Sequence, residues 1–386
     1  MANQEWRAGA LAEAARLGFD LAGVAGVEAS ARLALFPEWI AAGRAGEMGY
    51  LARRNEDGRY LREAVREAYP WARAVLCAGV VYNAEQPRST AFAGDGERGW
   101  ISRYAWGEDY HQVLRAKLEA WREWLRAAAA GGEEGAEFQI TVDTAPLVER
   151  EAARAAGLGW QGKNTCLIHP EKGSWFFLGC IVTSLEMEAE AGLPDRCGSC
   201  TRCIEACPTG ALAPYAMDAS RCVAYLNIEL RGTIPEGLRA GMGNNVLGCD
   251  ICQDVCPWNR RAAVSAAPEF QPRAGMVAPR LEELAGMSEQ DYRQRFRHSA
   301  VKRAQYAGLR RNVAVAMGNS GNPAFLPILQ EWIAGGDAVL AEHAAWAARQ
   351  LEAREAREAR EADDKGERER MAGGGPDGGA AGRRPE

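Results

Sequence analysis

The sequence predicts an α+β multidomain chain, and three observations carry that prediction. Residues 1–190 alternate helical and strand patterns, eight of the 11 cysteines crowd between 197 and 256, and residues 263–350 turn to helical periodicity. A length of 386 residues leaves room for two or three domains with real cores. The pattern changes set boundaries at 1–190, 191–262 and 263–350, followed by a charged tail, 351–386.

Composition narrows the class. The chain carries 46 Lys and Arg against 52 Asp and Glu, a net charge of −6, with 47% hydrophobic residues, which is ordinary for a soluble globular protein and unlike a disordered one. No apolar run approaches the ~18 residues that a membrane span needs. The opening MANQEWRAGALAEAARLGFD lacks a basic segment followed by an apolar core. A cytoplasmic protein without membrane association is therefore expected, and there clustered cysteines point to metal more than to disulfides. Net acidity argues against coating by nucleic acid over the whole surface, but leaves a local basic patch open.

In the first region, Glu5–Leu17 and Asp109–Ala130 read as amphipathic helices; in the second, Val113, Leu114, Leu118, Trp121 and Leu125 recur at three-to-four spacing. Leu76–Tyr82, Phe138–Val142 and Ser174–Thr183 are short, β-branched or aromatic, and read as strands. The strand ending at Val142 delivers Asp143 just before a helix. In α/β folds a carboxylate at that place often does chemistry; as a helix or turn cap it would do none. Gly157 to Thr165 is rich in glycine and polar donors, which lets backbone approach a bulky ligand, and Gly157-x-Gly159-x-x-Gly162 fits the bare dinucleotide pattern without opening a βαβ unit. Ser102 to His111 packs aromatics and charges before a helix. Asp109-x-His111 matches the start of a cobalamin motif whose required glycine is Leu114 here.

The second region is the most specific. Cys197-x2-Cys200-x2-Cys203-x3-Cys207-Pro208 is followed by Cys222 and then by Cys249-x2-Cys252-x3-Cys256-Pro257. Two-residue gaps let three thiolates converge on one cubane, and in two-cluster ferredoxins the fourth cysteine of each run crosses to the other cluster. One [4Fe–4S] cluster would then take Cys197, Cys200, Cys203 and Cys256, and the other Cys222, Cys249, Cys252 and Cys207. A pair of structural zinc sites is the plainer alternative. Cys77, Cys166 and Cys180 are left over and read as core.

Farther on, Val301–Gly318 reads as one helix, Asn319 to Pro323 as a break, Ala324–Ala334 as a second helix and Asp337–Leu351 as a third. Helical pairs of this kind suit a HEAT-like repeat or a plain bundle. Tyr292–Gly318 holds Arg293, Arg295, Arg297, Lys302, Arg303, Arg310 and Arg311 and no carboxylate, a plausible footprint for a phosphate backbone or else a solvated face. In the tail, EAREAREAREA supports a solvated helix that dissolves into glycine-rich sequence.

Together, VDTAPLVER (142–150), GLGWQGKNTCLIHPEKGSWFFLG (157–179), CGSCTRCIEACPTGAL (197–212), RCVAYLNIELRGTIPE (221–236) and GCDICQDVCPWN (248–259) resemble the epoxyqueuosine reductase family over roughly residues 5–350. The resemblance implies a monomer that uses cobalamin and two [4Fe–4S] clusters to reduce the epoxide of epoxyqueuosine, at the tRNA wobble position, to queuosine. It also implies an N-terminal α/β cobalamin-binding domain, a ferredoxin-like module, a HEAT-like tRNA-binding part and an unidentified low-potential electron donor. Carried over by position, Asp143 would be the proton donor, its pKa raised by desolvation beside the corrin. Trp106, Lys163, Asn164, Thr165, Ala224, Cys249 and Asp250 would lie against the cofactor, and Arg231, Lys302, Arg303, Arg310 and Arg311 against tRNA. Ala224 and Asn227 stand where the family usually has Ser and Thr facing the cofactor or substrate. The alternatives are a corrinoid reductive dehalogenase acting on a small molecule and a non-catalytic iron–sulfur carrier.

Overall fold

The computed structural model describes residues 2–129 and 135–373. After helix α1 (Ala2–Arg16), strands β1 (Leu21–Gly26), β2 (Ala74–Val81), β4 (Phe138–Thr141) and β5 (Phe176–Thr183) form a sheet in the order β1-β2-β5-β4, while β3 (Trp100–Ile101) lies elsewhere. Every neighbouring pair is antiparallel. This corrects the α/β character expected of residues 1–190 to an antiparallel α+β arrangement. The sheet is covered on both faces, which makes its strands continuously apolar; all eight residues of β2 are buried.

The pleat sorts those residues. Leu76, Ala78 and Val80 face α1 and α2 (Tyr110–Ala129), whereas Val75, Cys77 and Val81 face α3 (Glu149–Ala155). Helix α2 turns Leu114, Leu118, Trp121 and Leu125 inward; its expected last residue, Ala130, lies outside the described residues. Gly179 lets that helix sit close, because a Cβ there would come within 2.7 Å of Leu118 Cδ1. Cys77 and Cys180 oppose one another on β2 and β5 and are core, as expected.

Beyond residue 190 the elements are short, as suits a region organised around metal. One hydrophobic core nevertheless joins Trp100 and Trp106, helix α4 (Val223–Ile228), strand β6 (Asn245–Leu247) and the C-terminal helices. Strand β6 pairs in parallel with β3, fastening the cysteine-rich segment to the segment that precedes α2.

The stretch expected as one helix over Val301–Gly318 is two: a 3-10 turn, Ala300–Ala304, and α5 (Gln305–Ser320). The break falls at Gln305, whose φ of 63° lies in the left-handed region with no glycine in the sequence to announce it. Helices α6 (Leu326–Ala334) and α7 (Ala338–Gly373) pack against each other, and α7 against α5. Gly318 makes the latter contact possible, because a Cβ there would sit 2.7 Å from Ala347 Cα. Helix α7 runs through the boundary drawn at residue 350, and its i,i+4 pair Arg354–Glu358 (2.9 Å) supports the exposed portion. Residues 374–386 of the tail lie outside the described residues.

Candidate active site and cluster-binding cysteines

Asp143 follows β4 with φ of 58°, a conformation that Asp tolerates better than most residues. Its N–H donates to Glu149 Oε1 at 2.8 Å, at the first residue of α3. Its carboxylate accepts from Tyr110 OH at 3.2 Å and faces His111 Nε2 at 3.4 Å. His111 Nδ1 lies 2.7 Å from Asp109 Oδ1, so one imidazole bridges two carboxylates. Tyr110 is held by ring stacking on Phe177 of β5 at 4.4 Å.

These contacts reverse the electrostatics expected of Asp143. The hydrogen bond from His111 outweighs burial and lowers the Asp143 pKa. For His111, burial disfavours the charge, but the bonds to Asp109 and Asp143 win and push it up to about 9. The raised carboxyl is Glu149 instead: burial and then the Asp143 charge push it up to about 8. At neutral pH the proton available to Asp143 therefore sits on the His111 side of the pair.

The segment after Asp143 is also tied down. Arg62, 6% exposed, donates to Ala145 O (3.0 Å) and to Tyr50 O (2.9 Å). Behind it opens a cavity of about 300 Å³, lined among others by Ser30, Arg62, Pro146, Leu147 and Glu151.

The cysteines gather in two sets. Cys197, Cys200, Cys203 and Cys256 line one small cavity beside Trp258. Cys249 is within electrostatic reach of Cys222 and Cys207, and Cys252 of Cys249 and Cys222. Among the described residues no three His, Cys, Asp or Glu side chains converge closely enough for a single metal ion. Four cysteines around one cavity suit a cubane. The buried indole N–H of Trp160 lacks a conventional hydrogen-bond partner and lies against Cys197, where a cluster-bound thiolate would accept it. Cys166, expected in the core, lies instead beside Cys252.

Several residues assigned to the cofactor are committed elsewhere. Trp106, 1% exposed, donates its indole N–H to Ile101 O at 2.8 Å. Lys163 Nζ donates to Gly198 O (2.7 Å) and Cys200 O (3.1 Å), and Asn164 to Cys252 O (3.3 Å). Both brace the cysteine loops. Thr165 is buried at φ of 64°, and its carbonyl accepts from Arg150. Asp250, 1% exposed, accepts from Trp100 Nε1 (2.9 Å), the Arg103 N–H (2.8 Å) and the Ser102 hydroxyl. It therefore fixes the turn beside Cys249 from behind. Asn227, expected to face the cofactor, is fully buried and bonds both the N–H (2.8 Å) and the carbonyl (2.9 Å) of Gly248. Ala224, in the first turn of α4, remains half-buried next to the cysteines.

The basic stretch divides too. Arg311, 2% exposed, donates to the carbonyls of Leu226 (2.7 Å), Leu230 (2.9 Å) and Gly232 (2.7 Å), so it is a core residue and cannot contact tRNA. Arg310 stands over the Trp332 ring at 4.9 Å. Arg303 forms a two-pronged pair with Glu229 (2.8 and 2.6 Å) and reaches over Tyr50. Exposed Arg231 bonds Ala304 O, and exposed Lys302 lies within electrostatic reach of Asp109. Lys302 and Arg303 thus flank the Asp143 site.

Glu149, Tyr110 and Arg62 escaped sequence reasoning. The Asp109-x-His111 motif is the one local signal for Tyr110 and His111, and it serves as a carboxylate partner rather than as a metal-ligand motif.

Known proteins resemble this chain over the same regions. A family described as "4Fe-4S double cluster binding domain" matches residues 196–259, and one described as "Epoxyqueuosine reductase QueG, DUF1730" matches residues 62–144. Epoxyqueuosine reductase of Escherichia coli (strain K12) is 37% identical over 343 residues, 88% of this chain and 88% of that protein. The chain belongs to the epoxyqueuosine reductase family. The Xanthomonas campestris enzyme is 38% identical over 336 residues, 86% of this chain and 92% of that protein. A crystal structure of epoxyqueuosine reductase with an epoxyqueuosine-modified tRNA-Tyr stem loop has a TM-score of 0.77 and 29% identity, covering 90% of each chain. The Bacillus subtilis enzyme, solved with its catalytic aspartate loop swung out of the active site, has a TM-score of 0.78 and 27% identity, covering 90% of this chain and 91% of that one. No helix among the described residues is long and apolar enough to cross a membrane.

Proposed function

We propose that this protein reduces the epoxide of epoxyqueuosine in tRNA to the alkene of queuosine, with two [4Fe–4S] clusters relaying electrons to a bound cobalamin. The observation that carries the reading is the meeting, in one family member, of eight cysteines in two crossed sets with an exposed carboxylate paired to an imidazole. Removal of an epoxide oxygen as water takes two electrons and two protons. The cysteine sets hold the electron carriers; Cys197, Cys200, Cys203 and Cys256 would bind one cluster and Cys207, Cys222, Cys249 and Cys252 the other.

Cobalamin would bind at the open face beside Asp143. The Asp143 side chain is 65% exposed, and half-buried Tyr104 is within electrostatic reach of both Asp143 and Asp250, so the carboxylate and the Cys249 turn flank one tyrosine. The cavity behind the Asp143 loop would take part of the cofactor, while Asp143, Ala224 and Cys249 would border the corrin. When bound, cobalamin supplies the low-potential chemistry that opens the carbon–oxygen bond.

The chain's own residues supply one of the two protons, and water supplies the other. Asp143 Oδ2 receives hydrogen bonds from Tyr110 and His111, and the His111 imidazolium stores the proton that Asp143 passes to the departing oxygen. Asp109 holds the imidazole in orientation and favours its charge. Lys302 and Arg303 border this site and would meet phosphates of the anticodon arm, as would Arg231 and Arg310. A relative solved with a modified tRNA stem loop supports tRNA as the partner.

Mass analysis of tRNA nucleosides tests the reading. Incubated with epoxyqueuosine-containing tRNA, cobalamin and a low-potential reductant, the full chain should convert epoxyqueuosine to queuosine. Asp143→Asn should slow conversion by about 10²–10⁴-fold. Persistence of the epoxide with the wild-type chain would overturn the proposal.

A further inference from the structure

Asp143 occupies a left-handed backbone conformation on a loop that lacks the ladder bonds of its parent strand, so something outside the loop must hold it. Within residues 143–147 the only short-range support is the Thr144 N–H to Val142 O bond at 2.6 Å, together with the weaker bond of the Thr144 hydroxyl. Beside Tyr110 and His111 on the Asp143 carboxylate, two side chains reach the loop's backbone from firm ground. Arg62 holds the middle of the loop at Ala145 O, and Glu149 accepts from the N–H of Asp143 itself. Glu149 begins α3, whose Ala152 and Ala153 are buried against the sheet, so its carboxyl is a fixed point relative to β4.

We infer that Glu149 is a positioning residue that holds the Asp143 loop in the site through this single hydrogen bond, acting as an acceptor and not as a proton source. The chemistry of the neighbourhood explains why an acid can serve there. A second carboxylate beside Asp143 would repel it, and burial together with that charge pushes Glu149 up to about 8, so at neutral pH it accepts largely as the uncharged acid. A glutamine would present a carbonyl oxygen of the same reach. His111 supplies the charged side of the site from the opposite direction, with its Nε2 on Asp143 Oδ2, so Glu149 is not needed for proton storage.

The inference rests on the reading of Asp143 as the proton-passing group, and its test is chosen to fail separately from that reading. Hydrogen exchange of the peptide covering residues 142–148 is measured on the full chain, loaded with clusters and cobalamin, for wild type, Glu149→Ala and Glu149→Gln. Glu149→Ala should speed exchange about tenfold, as expected for loss of one hydrogen bond. It should also lower kcat by about 10²-fold, with KM for tRNA and iron content unchanged. Glu149→Gln should restore both the protection and most of kcat. Unchanged exchange in Glu149→Ala overturns the tether. A folded Glu149→Gln that keeps its protection but loses turnover as completely as the alanine variant overturns the acceptor role in favour of a proton-transfer role. If Glu149→Ala yields no folded protein, the glutamine variant decides alone: retained protection and turnover support the inference, and loss of either refutes it. A wild-type chain that leaves the epoxide intact, yet shows this exchange pattern, refutes the function and leaves the tether standing.

Discussion

The cysteine module and the Asp143 loop are neighbours that encode their chemistry in opposite ways. In the module, all the ligands but Cys222 lie in two runs with gaps of two or three residues, so the spacing itself describes most of the site. Around Asp143, each partner arrives from another element: Tyr110 and His111 from the start of α2, Glu149 from α3, and Arg62 from the segment before β2. A local pattern can be read from one sequence, whereas a constellation held by long-range hydrogen bonds must be assembled by the fold before its electrostatics exist. This is why the identity of Asp143 was legible but its charge state was not.

The strongest way to break the comparison is to attack the crossed ligand assignment, the point where the module ceases to be local. Cys256→Ser should remove the cluster that Cys200 also holds, lowering iron from about eight to about four per chain and abolishing turnover. Cys200→Ser should give the same residual electron paramagnetic resonance signal, and the double variant should be no worse than either single one. Cys207→Ser should spare that cluster and remove the other. If Cys256→Ser and Cys249→Ser instead eliminate the same signal, each run of cysteines closes its own cluster and the crossed reading fails.

The basic stretch marks the middle of the scale, where sequence reading succeeded by type and failed by position. Seven cations without a carboxylate are a real compositional signal. Periodicity on one helix, however, does not reveal which cations meet partners from elsewhere. Arg303 finds Glu229 across the chain, Arg293 finds Glu289 at 2.6 Å just outside the stretch, and Arg311 turns inward to three carbonyls around α4. The same limit applies to the fold. The helices and strands of residues 1–190 were recognisable from their apolar spacing, but antiparallel pairing was not, because a sheet covered on both faces loses the alternation that would have signalled it. Arg311→Ala should leave those carbonyls unsatisfied and cost about 3 kcal/mol or more in stability by denaturant unfolding. Arg311→Ala with wild-type stability and weakened tRNA binding would return Arg311 to the binding surface.

The subtlest test concerns the proton stored between His111 and Asp143. His111 is raised to about 9, above its unfolded value of ~6.5, so its contribution to stability is full below the unfolded value and is lost as pH climbs through about 9. Asp143 is lowered, so its contribution is present above the ordinary carboxylate range and disappears only in acid. Between those limits the pair is ionised and holds one transferable proton. The rate constant kcat/KM should therefore be level around neutrality and decline with a limb near pH 9, by about tenfold per pH unit beyond it, as the imidazolium is lost. His111→Gln, which can still hydrogen-bond Asp143 but cannot carry the proton, should lower the plateau and erase that limb. The wild type's stability advantage over His111→Gln should fade over the same interval, from ~6.5 to about 9. A limb that survives unchanged in His111→Gln would assign the titration to another group, and Asp143 would then draw its proton without the imidazole.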